Sequence, residues 1–391
     1  MKIDRSILAV ALGLASVSLA SAQQFVYLTG STAARDAVYN TVMNGTAGGF
    51  DSTPAFIGYG NSTAGNCSYM EFLGNISGVQ TILTCHWSGS EAGIADVSGS
   101  TVEQFAEDSV GSFPAPGTAN AVANSGNPSS TVGHTVDFAQ ADNDLPYSYT
   151  FPSSATALND NLVIPFVFVK TTTTLADANL ITDVNYDNFK AIAQGGSLAS
   201  LFTGNPADTS YYIYLAGRDH FSGTRANTFG DTGWGIKKSP TQIELDSAGN
   251  MLDPNSDGSY TTSEGQSSGG TLAKSLVNTT ASIDQINTGT AGFVAIAYLG
   301  LADDATAEGS PINATRLTYC GVSYSIANVE SGLYKFWGYE FTMTRSGINS
   351  VASGIASKVV ANLKNNTSSF EIPVTSMTVK RSGPTGYVVH N

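Results

Sequence analysis

The sequence predicts an α/β chain in two lobes, each a mostly parallel sheet flanked by helices. Three observations lead there. Short apolar strands alternate with amphipathic stretches along most of the chain. Two runs, 162–169 and 292–299, are apolar on both faces, as buried parallel-type strands are. The chain is also long for one hydrophobic core and suits two.

Residues 1–22 read as an export leader. Lys2 and Arg5 precede an apolar run over 7–19, and Ala20-Ser21-Ala22 supplies the small residues of a cleavage site. The processed chain is expected to begin at Gln23 and to be soluble, in the periplasm or outside the cell. No later stretch approaches the ~20 apolar residues that a membrane span needs. Apolar patterning places strands over 25–29, 54–59, 79–85, 162–170, 211–216, 291–299 and 334–343, and helices over 33–43, 183–193, 268–278 and 349–364. The segment 104–160 is weakly periodic and rich in Ser, Ala, Asn, Gly and Pro, so it reads mainly as surface loop over the first lobe. If the two apolar runs are the crossings between lobes, lobe 1 comprises 23–168 and 291–391, and lobe 2 comprises the inserted residues 169–290.

The formal net charge is −14. Loss of Lys2, Asp4 and Arg5 with the leader removes a net +1 and makes it −15. So acidic a surface argues against nucleic acid and anionic membranes as partners. An anionic ligand would have to be held by local dipoles and one or two cations. Of the three cysteines, Cys67 and Cys85 lie 18 residues apart, a spacing that admits one disulfide in an oxidising compartment and leaves Cys320 over. Three unbonded thiols are the other reading, because spacing does not establish that the Cβ vectors meet.

The chemistry concentrates in Gly217-Arg218-Asp219-His220-Phe221-Ser222-Gly223-Thr224-Arg225. Arg218 offers a planar fork of donors, and four residues on, Ser222-Gly223-Thr224 is set to open a helix whose free N–H groups and hydroxyls converge on the same negative charge. A second helix start, Thr29-Gly30-Ser31-Thr32-Ala33-Ala34, follows the first strand. Two such ends could face one oxyanion.

In these segments, and in Tyr59-Gly60-Asn61-Ser62-Thr63-Ala64-Gly65, Ala95-Asp96-Val97-Ser98-Gly99-Ser100 and Gly289-Thr290-Ala291-Gly292-Phe293-Val294, the sequence resembles the periplasmic phosphate-binding proteins of ABC importers. These belong to the type 2, two-lobed periplasmic-binding class, and the resemblance runs in order along nearly the whole processed chain. It implies a monomeric, non-enzymatic solute-binding protein without a cofactor. Such a protein captures inorganic phosphate or a related tetrahedral oxyanion in a ligand cleft at the hinge between its lobes and delivers it to the membrane subunits of an importer. It further implies that Arg218 pairs with the anion, that Ser222, Gly223 and Thr224 donate to it, and that Thr32 and Ala33 donate from the first lobe. Ser62 or its neighbour Asn61 adds a contact. The family often carries an Asp shortly after the Ala-Asp strand that accepts the phosphate proton. Here the matching run ends in Ser100-Thr101, so the Ser100 hydroxyl is left to accept it unless Glu91 or Glu103 does. An exported structural or adhesive surface protein with a degenerate pocket is the alternative.

Other constellations are less specific. Asp253, Asn255, Asp257, Ser259 and Glu264 fit the twelve-residue calcium-loop pattern at every ligand position. No helix is expected to enter it, and an exposed turn is the commoner reading. His220 lies beside Ser222 and Asp219, but sequence neighbours rarely form a triad, and a cleft-rim histidine explains it. Trp87, Trp234 and Trp337 are expected to pack at core or hinge positions.

Overall fold

In the computed structural model, residues 23–99, 101–115, 122–149, 154–173, 177–261, 264–279, 282–287, 292–383 and 386–391 are described. The expected leader, Ser100 and the 289–291 end of the last quoted segment lie outside them. Among the described residues no helix is long and apolar enough to cross a membrane.

The strands that position the site are β1 (Gln24–Gly30), β2 (Ala55–Tyr59), β3 (Tyr69–Ile76), β4 (Val79–His86), β5 (Phe138–Ala141), β6 (Thr156–Lys170), β7 (Tyr212–Ala216), β8 (Phe293–Gly300) and β9 (Trp337–Thr344). They form one continuous mixed sheet in the order β7-β8-β6-β9-β5-β1-β4-β3-β2. The helices flanking it are α1 (Arg35–Met43), α2 (Ser90–Val97), α3 (Tyr186–Gly195), α4 (Gly223–Asp231), α5 (Gly269–Ser275), α6 (Leu301–Glu308) and α7 (Ser350–Asn362).

β6 joins two cores. Its first part pairs antiparallel with β9 from Thr156 to Pro165, and its last five residues pair antiparallel with β8. Pro165 stands at the hand-over, where its missing N–H removes no bond that the second ladder needs. One apolar cluster gathers Val26, Leu28, Val38, Phe56, Phe72 and Leu83 under α1 and α7. A second gathers Phe168, Phe189, Ile213, Phe229, Ile296 and Trp337 around β7 and β8. The alternation read from sequence thus gives an α/β fold, and the doubly apolar run 162–169 is buried throughout, but it is not the parallel-type strand expected: every pairing of β6 is antiparallel, and its burial comes from its central place in the mixed sheet.

Two further expectations are corrected. The stretch 104–160 is not mainly loop: β5 lies within it, fully buried between β1 and β9. Its sequence, Phe-Ala-Gln-Ala, carries too little apolar signal to mark a strand, and its burial comes from neighbours on both sides. The Cys67–Cys85 disulfide is also absent, and both thiols are free and buried. Cys67 turns its Sγ toward the carbonyl of Asn61 at 3.2 Å, while Cys85 on β4 faces Met70 across the ladder. Burial pushes the Cys67 thiol up to about 11 and that of Cys85 well above its ordinary value, so neither is poised to react. A thiol titration without reductant should therefore find one reactive group in the native chain, the exposed Cys320, and three after unfolding. Only one thiol after unfolding would restore the disulfide.

Candidate functional site

α4 begins as its sequence requires. Ser222 is the N-cap, its Oγ accepting from the backbone N–H of Arg225 at 3.2 Å, and Ser222, Gly223 and Thr224 are all buried. What meets this helix end is a carboxylate of the chain itself. Asp142, just past β5, receives the hydroxyls of Ser90 and Thr224, and a Cβ on Gly223 would overlap its Oδ1. Asn227 donates to the Asp142 carbonyl at 2.6 Å, and the N–H of Glu91 donates to the carbonyl of Phe221 at 2.9 Å, stitching α2 to the α4 start. Burial pushes the Asp142 carboxyl above its ordinary range, against its hydrogen bonds from Ser90 and Thr224 and the charge of Arg218. The place expected for an oxyanion is filled from within.

Arg218 is also engaged. Its Nε donates to the carbonyl of Gln266 at 3.0 Å and its Nη2 to that of Ser267 at 3.1 Å, while its backbone N–H donates to the Tyr298 hydroxyl. The fork fastens the loop leading into α5. Beyond it, Asp303 on α6 packs so closely on Gly269 that a Cβ there would overlap its carboxylate. Burial pushes the Asp303 carboxyl up, opposed by the charges of Arg35, Arg218 and Lys274.

Beside this group opens a small polar cavity of about 190 Å³, between the α1 start and α5. Thr32, Arg35 and Asn61 line one side, and Ser268, Thr271 and Lys274 the other. The Nε of Arg35 is buried with no hydrogen-bond partner. Burial pushes this guanidinium down from its ordinary value, offset chiefly by Asp303 and less by Asp36. Among the described residues the cavity lining carries two cations, Arg35 and Lys274, and one carboxylate, Asp303, while Arg218 behind it is shared with Asp142, Asp219 and Asp303.

The remaining sequence-derived residues divide as follows. Thr32 lines the cavity. Ala33 lies next to it, but its N–H is given to Ser31 Oγ at 3.1 Å. Of the alternatives Asn61 and Ser62, Asn61 reaches the cavity and Ser62 is exposed. Neither acid expected to replace the family's Asp faces the cavity. Glu91 ties down the 143–149 turn through Asn143, Ser148 and the N–H of Tyr149, and Glu103 pairs with His86 at 2.9 Å. In the 253–264 loop, Asp253 accepts from the N–H groups of Asp257 and Gly258, and Glu264 lies 3.3 Å from His220. Among the described residues no group of three or more His, Cys, Asp or Glu side chains is placed to hold a metal ion.

Arg35, Lys274, Asp303 and Asp142 were missed. Arg35 did leave a trace: a cation in the first turn of a helix opposes the macrodipole, so its presence there calls for a compensating anion. Asp142 left none, because only the packing of β5 brings it to α4.

No family model and no curated protein matches this chain. Solved structures similar to it include a putative phosphate ABC transporter substrate-binding protein with bound phosphate from Clostridium perfringens, at 12% identity over 90% of this chain and 99% of that one, with a TM-score of 0.46. An ABC-type phosphate transport receptor from Vibrio cholerae aligns at 10% identity over 84% and 90% of the two chains, with a TM-score of 0.41. PstS from Borrelia burgdorferi aligns at 12% identity over 88% and 95%, with a TM-score of 0.36. Likeness this loose leaves the ligand to this chain's own residues.

Proposed function

We propose that this chain is an exported solute-binding protein that captures a small tetrahedral oxyanion, inorganic phosphate first, in the cavity between Arg35 and Lys274. The observation that carries the reading is the buried, unpartnered Arg35 Nε on a cavity with charge in excess and a lining of hydroxyls and amides. A guanidinium is costly to bury unpaired and is relieved by a planar or tetrahedral oxyanion. Among the described residues no group on the cavity is arranged as a nucleophile with its base, so the reading is capture without chemistry. A chain closed around its anion would present a distinct shape to an ABC importer, the partner we assign to it.

Titration calorimetry of residues 23–391 with phosphate and then sulfate tests this. Saturable phosphate binding is expected, weakened at least tenfold by Arg35→Ala and by Lys274→Ala, about 1.4 kcal/mol each. Absence of heat with both anions would reject capture. It would favour the second reading, an exported structural protein, for which the seating of Asp142 on the α4 start is the specific support.

A further inference from the structure

Resting on the anion reading above, we propose that the bound anion is one end of a zwitterion: a small phosphate or phosphonate ester bearing an ammonium group, its anion at Arg35 and Lys274 and its ammonium against Asp96 and Glu103. A second cavity adjoins the polar one at Ser268. Ser68, Trp87 and Ser268 are walls common to the polar cavity and to this larger one of about 560 Å³, which lies along β4 and α2.

The two cavities have opposite character. The larger one is bordered by Asp96, Glu103 and Asp219, and its one basic group among the described residues is the His86 ring, already paired with Glu103 at 2.9 Å and stacked on Tyr69 at 4.1 Å between centroids. Asp96 is 5% exposed, and its Oδ1 accepts the Thr101 hydroxyl while its Oδ2 is buried with no hydrogen-bond partner. Burial and the neighbouring Glu103 carboxyl push Asp96 up to about 6, and an ammonium between the two acids supplies a donor and a compensating charge. Trp87, Tyr69 and Phe221 border the same space and offer apolar surface to a short linker. Trp87, which borders both cavities, is 4% exposed, and its Nε1–H is likewise buried and unpartnered. Inorganic phosphate would occupy the basic end and leave Asp96 Oδ2 unsatisfied.

Calorimetry with phosphoethanolamine, ethyl phosphate, ethanolamine and inorganic phosphate separates this inference from the reading it rests on. Phosphoethanolamine should bind at least tenfold tighter than ethyl phosphate. Asp96→Asn should erase that advantage while leaving the ethyl phosphate affinity unchanged, which also reports that the variant is folded. Equal affinity for the two esters, or an Asp96→Asn loss shared by both, overturns the zwitterion. Binding of inorganic phosphate with exclusion of both esters overturns it too and leaves anion capture standing. Binding of none of the probes overturns both.

Discussion

Asp142→Ala is expected to cost the fold roughly 3 kcal/mol and to recover a large part of that loss when phosphate is added. The carboxylate is buried and satisfies the hydroxyls of Ser90 and Thr224, and removing one partner of a buried hydrogen bond costs about 1–3 kcal/mol per group left unsatisfied. The start of α4 is then left without its counter-anion, and Arg218 loses one of the carboxylates that offset its charge. The truncated side chain vacates space at an anion-accepting helix end of nine residues, so phosphate gains a place it lacks in the parent chain. An anion at a hundred times its Kd returns about 2.7 kcal/mol. The measurement is thermal unfolding with and without phosphate in an Arg35→Ala background, which removes the contribution of the cavity. Asp142→Asn is the control: it loses the charge but still fills the space, so phosphate should not restore it. Equal loss with and without phosphate in Asp142→Ala would show that the helix end is no anion site.

The second large effect is on pH. Burial, with the neighbouring Asp108, pushes Glu71 up to about 8. Burial raises Asp160 and Glu371 to about 7 each, and Glu340 well above the carboxyl range with Asp142, Asp160 and Glu371 adding repulsion. Geometry agrees: Glu71 Oε2, Glu340 Oε2 and Glu371 Oε1 are buried without partners, as oxygens beside a retained proton can be. Glu340 lies where the β9–β6 register slips, between Tyr339 opposite Val163 and Phe341 opposite Asn159, and Asp160 accepts from Thr342 there at 2.8 Å. A carboxyl whose folded pKa is raised keeps its proton in the folded chain after the unfolded chain has lost it. Its stabilisation is therefore full below about pH 4 and is lost as pH rises through 7 to 8. Several kcal/mol should disappear between pH 5 and pH 8, lowering Tm by roughly 10 °C. Glu71→Gln and Asp160→Asn should each flatten the profile. A Tm that is level or rises over this range would contradict the assignment.

Particular residues show what could be read in advance. The 162–169 part of β6 and all of β8 were legible because apolar side chains on both faces leave a strand no solvent side, and β1 was legible from its short apolar run. The start of α4 was legible because Ser222 caps within three residues, and α3 begins at Tyr186 because Asn185 and Asn188 form a local capping box. β3 escaped notice: Glu71 and Asn75 break its apolar pattern, although Ser77-Gly78, both at positive φ, mark the tight turn to β4. The helix start at Ser222 and the position of Arg218 were legible in the chain, but what each faces was not. Arg218 turns to the carbonyls of Gln266 and Ser267, and the cavity is bordered instead by Arg35 and Lys274.

By itself, then, the sequence determined the α/β class, the principal strands, the capped helix starts and the stretches that carry charge-binding groups. All of these follow from interactions within a few residues, namely side-chain periodicity, caps and turn conformations. The tertiary structure alone decided which charges meet. Asp142 reaches Ser90 and Thr224 from 52 and 82 positions away, and Arg218 reaches Gln266 across 48. Whether a helix end holds a captured anion or the chain's own carboxylate depends on such distant approach, because a charge acts through space, and sequence order does not set the distance between two charges.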